Sequence, residues 1–200
     1  VTDRAEKDKF EITVEANSKT DKYTGEKQSV TGFKETEFTV NGKKYTVSGL
    51  TSKAEGTDSG DYTTAIEGTA VVKDADENDV TKQFNVKTKV GKLSITKRSV
   101  TMTSATDSKP YDGTALTKHE VTVTGDGFVK GEGATYKVTG SQTLVGSSEN
   151  KFTYKLNDGT NADNYTITTK SGQLTVTDRA EKDKFEITVE ANSKTDKYTG

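Results

Sequence analysis

Apolar and polar residues alternate along most of this chain. Phe10, Ile12 and Val14 occupy every second position, as do Val121 and Val123, Tyr136 and Val138, and Phe152 and Tyr154. Tyr165 and Ile167, then Leu174 and Val176, continue the pattern. A period of two marks a strand with one buried face. Phe38 and Val40, the pair Asn41-Gly42, then Tyr45 and Val47 predict a hairpin, because Asn-Gly suits a two-residue turn. Gly125-Asp126-Gly127 and Gly131-Glu132-Gly133 punctuate later strands. No stretch carries convincing helical periodicity. About six to eight short strands in roughly 80 to 95 residues predict a sandwich-type domain.

The pattern recurs at two scales. Val1 to Gly25 and Val176 to Gly200 are identical, at an offset of 175 residues. That period itself holds two related halves. Lys22-Tyr23-Thr24-Gly25, Tyr45 to Gly49, Phe84-Asn85-Val86 and Gly91 to Thr96 are followed by Pro110-Tyr111-Asp112-Gly113, Tyr136 to Gly140, Tyr165-Thr166-Ile167 and Gly172 to Thr177 in the same order. We therefore read module A at residues 4–97, with an insertion near 71–81, and module B at 98–178. Residues 179–200 read as the first strand of a following, truncated module A. Buried parity shifts by one across Lys97-Arg98, as a chain leaving one core for another requires. A stiff A–B junction and a looser, charged B–A junction are expected. The predicted fold is all-β: two tandem Ig-like β-sandwich modules in an elongated arrangement, with β-grasp-like modules as the alternative. The alternative needs a helix, for which 71–81 is the only room in module A.

Composition narrows the classes. Hydrophobic residues make up 28%, with no Trp, one Met and one Pro, whereas Thr numbers 36. Such a chain favours half-exposed strands around thin cores. The 29 basic and 31 acidic residues are well mixed, for a net charge of −2, and form no basic stripe, so nucleic acid is not an expected partner. No run is apolar enough to span a bilayer as a helix, and no membrane contact by this segment is expected. Without Cys, disulfides and thiolate metal sites are excluded.

Candidate chemistry is sparse. The Tyr-x-Gly element, Tyr23 with Gly25 and Tyr111-Asp112-Gly113, reads as an aromatic at a strand end before a turn with Gly at positive φ. A ligand contact is the other reading of the element. Asp74, Asp76, Asn78 and Asp79 begin like a calcium loop, but Gly is missing at the sixth position and Asn85 stands at the twelfth. A solvated acidic loop is the better reading, there and at Asp158, Asn161, Asp163 and Asn164. The single histidine, His119, has neither Cys nor a serine motif for a triad or zinc site. The Gly125 to Gly133 run lacks the residues of a phosphate loop. Asn164-Tyr165-Thr166 is a glycosylation sequon. Lys and Asn are numerous enough that an intramolecular isopeptide bond stays open.

Residues Ser99 to Thr177 resemble the YDG/MBG class of repeats of large bacterial surface proteins. Carrying the likeness are Lys109-Pro110-Tyr111-Asp112-Gly113, Val145-Gly146 leading to Phe152-Thr153-Tyr154, Ala162 to Ile167 with Tyr165 at its centre, and the closing strand Gly172 to Val176. Module A is a more diverged match, through Lys22-Tyr23-Thr24-Gly25 and Gly60-Asp61-Tyr62. The resemblance implies an extracellular segment of a bacterial cell-surface adhesin, attached to the wall through other regions. It carries no catalytic residues and no cofactor. The expected role is a stalk that projects a distal binding domain, with adjacent repeats as partners. Multivalent binding of mucin, host glycan or glycoprotein by the repeats is the alternative. An enzyme is not expected. Residues 179–200 are expected to be ordered by strand exchange with a neighbour.

Overall fold

The structure is a computed structural model that describes residues 3–200. The first half contributes β1 (Phe10–Glu15), β2 (Lys19–Lys22), β3 (Gln28–Thr31), β4 (Glu37–Val40), β5 (Lys43–Gly56), β6 (Gly60–Thr63), β7 (Ala65–Asp74), β8 (Phe84–Lys89) and β9 (Lys92–Thr96). Then come β10 (Arg98–Ser104), β11 (Asp107–Pro110), β12 (Val121–Gly125), β13 (Ala134–Val138), β14 (Gly146–Asn150), β15 (Phe152–Leu156), β16 (Tyr165–Lys170) and β17 (Gly172–Thr177). The fold is all-β with open sheets, and no described residue is α-helical. The β-grasp alternative therefore lacks the helix it needs.

Two compact units form. One holds the chain up to Met102 together with Val123–Thr135 and Tyr154–Thr169. The other holds Thr103–Thr122, Tyr136–Thr153 and the chain from Lys170. The repeat seam at Lys97-Arg98 thus lies inside the first unit.

In the first unit the opening segment runs beside the closing one. β1 pairs parallel with β8 from Phe10 opposite Phe84 to Glu15 opposite Lys89. β2 pairs parallel with β9 from Lys19 opposite Leu93 to Lys22 opposite Thr96, so partner numbers differ by 74 throughout. Between the two ladders the strands come so close that a Cβ on Gly91 would lie 2.0 Å from the Asn17 carbonyl oxygen. Only glycine fits there. Beside this ladder lies a four-stranded sheet in which β5 pairs with β3 and β4 on one edge and β7 on the other. The β4–β5 hairpin turns on Asn41 and Gly42, at φ 49° and 75°.

Alternation decides what is buried. Ile12 and Val14 of β1 join Val47, Val72 and Phe84 in one core. Phe84 packs against Phe10 at 5.6 Å and Tyr45 at 4.8 Å between ring centroids. Such aromatic pairs contribute about 0.5–1.5 kcal/mol beyond their burial.

In the second unit the same plan recurs. β11 runs parallel to β17, from Asp107 opposite Leu174 to Pro110 opposite Thr177, and β14 covers the other edge of β17. Leu116, Leu174 and Val176 form a small core flanked by Tyr111. Asn150 is fully buried and donates its amide to the carbonyls of Ala105 and Lys118, each at 2.8 Å. The two halves differ in strand length: β5 and β7 span 14 and 10 residues, but β13 and β15 only 5 each.

Beyond β17 the chain makes a single 3-10 turn at Glu181–Asp183, and residues 184–200 form no strand.

Candidate functional site

The best-defined cluster of polar and aromatic side chains gathers around Glu132 in the first unit. Tyr23 arrives at the end of β2, where its amide donates to the Thr96 carbonyl at 2.9 Å. Gly25 turns the chain away at φ 79°, in the left-handed region. Tyr165 arrives at the start of β16. Both rings are buried and meet edge to face, with centroids 5.7 Å apart. Phe128 closes the far side of Tyr165 at 5.0 Å.

Both phenols converge on one carboxylate. Tyr23 donates to Glu132 Oε1 at 2.5 Å and Tyr165 donates to Oε2 at 2.8 Å. Tyr165 also accepts the Val129 N–H at 3.2 Å. Burial, reinforced by the Glu132 carboxylate, pushes both phenols up to about 12. They are neutral donors at physiological pH, and the carboxylate accepts two charge-assisted bonds.

Charged groups brace the cluster. Arg98, at the start of β10, donates Nε to the Gly127 carbonyl at 2.9 Å, Nη1 to the Tyr23 carbonyl at 3.3 Å and Nη2 to the Asp126 carbonyl. Lys22 pairs with Asp126, whose carboxylate also accepts from the Ser99 amide at 2.8 Å. Lys22 and then Ser99 hold the Asp126 carboxyl well below the usual carboxylate range. On another flank Asn164, fully buried, donates to Asp58 at 2.8 Å and accepts the Ser59 amide at 2.7 Å. The folded chain thus does not present the sequon at Asn164. Chemically the assembly is a clamp. It joins residues near 22–25 and 58–59 to residues near 126–132 and 163–165.

Tyr111 has the same backbone grip in the second unit. Its amide donates to the Thr177 carbonyl at 2.8 Å, and the Tyr111 carbonyl accepts from Arg179 Nη1 at 2.9 Å. Asp112 accepts from Lys109 at 2.9 Å and from the Thr114 amide at 2.8 Å, which holds its carboxyl well below the usual range. Gly113 sits at φ 79°, like Gly25.

The remaining candidates are dispersed. Asp74 accepts from the Asp76 and Asn78 amides at 3.0 and 2.9 Å, and Asp79 from the Thr81 amide at 2.9 Å, so both carboxylates shape their own turn. Among the described residues no three His, Cys, Asp or Glu side chains gather as a metal site. His119 is exposed. Sequence reasoning found Tyr23, Gly25 and Tyr165 but missed Glu132, Asp126 and Arg98. One signal was available for the arginine: Arg98 and Arg179 each stand two residues after a closing strand, at Thr96 and Thr177. No protein-family model, no curated protein and no solved structure matches this chain.

Proposed function

We propose that the chain is a tandem-repeat segment of a bacterial cell-surface adhesin, a stalk that holds a distal binding domain away from the wall. It consists of two Ig-like β modules of the YDG/MBG type and has no enzymatic role. The observation that carries the reading is the constant parallel register of 10–22 against 84–96. The chain enters at one end of that ladder and leaves at the other. A ladder of this length spans roughly 40 Å at about 3.3 Å per residue. Tension applied through the two ends then slides strands along one another and strains many hydrogen bonds at once. The Tyr23–Glu132–Tyr165 clamp fits the same role, because it fixes the hand-over from one repeat to the next. Among the described residues up to 178, Tyr154 is the only aromatic that is largely exposed, which suits a spacer better than a sugar-binding face.

Scattering from arrays of one, two and four 175-residue periods tests the proposal. The maximum dimension should rise in proportion to copy number; growth with its square root would mark a flexible string and refute the stalk.

One observation favours the repeats as binders of host glycan or glycoprotein. An open groove of about 660 Å³ runs along Phe33, Leu50 and Ala54, rimmed by Lys53, Glu55 and Glu67. Mucin-glycan binding that climbs steeply with copy number would establish that reading.

A further inference from the structure

The tip of the β4–β5 hairpin carries chemistry that the fold does not use. Asn41 and Gly42 form the turn, at φ 49° and 75°, and both are exposed. A two-residue turn of this kind asks for positive φ at both positions, which Asn-Gly supplies. The same pair favours attack of a main-chain nitrogen on a side-chain amide, because glycine has no Cβ to hinder the approach. A Cβ placed on Gly42 would meet nothing within 4 Å, so the turn stands open to solvent. Among the described residues neither the Asn41 amide nor the Gly42 N–H has a hydrogen-bond partner. No other asparagine of the chain precedes a glycine. Several others are also engaged or shielded. Asn17 donates to the Thr31 carbonyl at 2.9 Å, Asn78 donates to the Asp74 carboxylate at 3.2 Å, and Asn161 accepts the Asp163 amide at 3.0 Å. Asn150 and Asn164 are fully buried. Asp112 and Asp126 also precede glycine, but Lys109 and Lys22 pair with their carboxylates, and an ionised carboxylate is a poor electrophile.

We propose that Asn41-Gly42 is a site of spontaneous covalent modification, deamidation through a cyclic imide. The Gly42 nitrogen gives its proton to solvent base and attacks Asn41 Cγ. The Cγ–Nδ2 bond breaks, and Nδ2 leaves as ammonia with a proton returned by water. Water then opens the ring at either carbonyl. Opening at Cγ leaves an ordinary Asp, whereas opening at the main-chain carbon leaves an iso-Asp whose chain runs through Cβ and Cγ. The balance is one amide and one water converted to one acid and one ammonia, with no oxidant or enzyme. Attack within one chain gains from proximity. The chain's net charge of −2 gains one further negative charge. A chain routed through Cβ is longer by one bond and loses the two-residue turn. The pairs nearest the tip, Val40 with Lys43 and Phe38 with Tyr45, lose their register first. Tyr45 packs on Phe84 at 4.8 Å, so the change reaches the core of the first unit. The site thus turns elapsed time into a loosening of the hairpin. The inference does not depend on the stalk reading, because it needs only the turn and its exposure.

The test ages the full chain in mildly alkaline buffer, which speeds loss of the Gly42 proton. Intact mass is followed together with peptide mapping by electron-transfer fragmentation, which separates Asp from iso-Asp. Freshly prepared chain should have the mass of its sequence. Ageing should add the difference between a hydroxyl and an amino group. That change should appear at Asn41 at least about ten-fold faster than at any other asparagine, with both isomers present. Asn41→Gly keeps a Gly-Gly hairpin turn and removes the amide, so its mass should hold over the same period. Amide hydrogen exchange at Lys43 and Tyr45 should quicken in the aged parent and stay constant in aged Asn41→Gly. Conversion at Asn41 no faster than elsewhere overturns the proposal. So does an early mass gain in Asn41→Gly equal to the parent's, or hairpin exchange that conversion leaves unchanged.

Discussion

Glu132→Ala is the sharpest perturbation of the clamp. The substitution removes the acceptor of two phenols that are 4% and 3% exposed, at Tyr23 and Tyr165. A buried donor left without a partner costs about 1–3 kcal/mol. Tyr165 keeps its bond from the Val129 amide, but that bond uses the oxygen as acceptor and leaves the hydroxyl proton unpaired. The combined loss is about 2–6 kcal/mol. In a chain of this size it corresponds to a Tm lower by roughly 4–24 °C. Tyr23→Phe removes one bond and leaves Glu132 with Tyr165, so it should cost only about 1 kcal/mol. The double variant should be more stable than the sum of the single losses implies, by about 1–2 kcal/mol, because the two residues share one bond. The chain has no Trp, so urea unfolding can be followed by tyrosine fluorescence. If Glu132→Ala unfolds within about 0.5 kcal/mol of the parent, the clamp is ornamental and the reasoning fails.

Three further outcomes are expected. Tyr23 and Tyr165 have folded values of about 12 against an ordinary 10.0, so folding favours their neutral forms. Their contribution is whole below pH 10 and is lost as pH climbs through about 12, so ultraviolet difference spectra should show Tyr23 and Tyr165 ionising late, with Tyr136 shifted the same way by burial; one ordinary midpoint for all eight tyrosines would contradict this. Gly91→Ala forces a Cβ to 2.0 Å from backbone oxygen and should cost more than about 2 kcal/mol, whereas Gly113→Ala meets nothing within 4 Å and carries only the left-handed backbone penalty of roughly 1–2 kcal/mol; equal losses in chemical denaturation would refute the close-approach argument. Asn150 and Asn164 spend their amides on backbone carbonyls and Asp58, so the intact mass should match the sequence with no loss of ammonia.

Local pattern made much of this fold readable. The alternation of Phe10, Ile12 and Val14 named β1, and Asn41-Gly42 named a hairpin, because strand faces and tight turns are set by neighbours in sequence. The matched spacing of Phe84 to Gly91 and Tyr165 to Gly172 reads as two related halves, but the two compact units cut across that division. Pairing was not readable. Nothing near Phe10 says that its partner is Phe84, since that choice rests on contacts 74 residues away. Residues 185–200 make the point directly: with the letters of β1 and β2 but no edge, they form no strand. Glu132 escaped for a related reason. A lone glutamate between two glycines looks like a solvated turn until two tyrosines from distant strands close on it.

A spacer is defined by how it carries tension, so the most direct test pulls on the first module in two directions. Cysteines placed at Lys9 and Lys97, in a chain with none of its own, load the β1–β8 and β2–β9 ladders along their length. Cysteines at Lys9 and Lys82 pull on the same end of β1 and β8 and peel the pairs apart one at a time, from Phe10 and Phe84 onward. Single-molecule rupture should need several-fold more force in the first geometry, because its hydrogen bonds fail together. Equal forces, or a weaker lengthwise direction, would contradict the stalk.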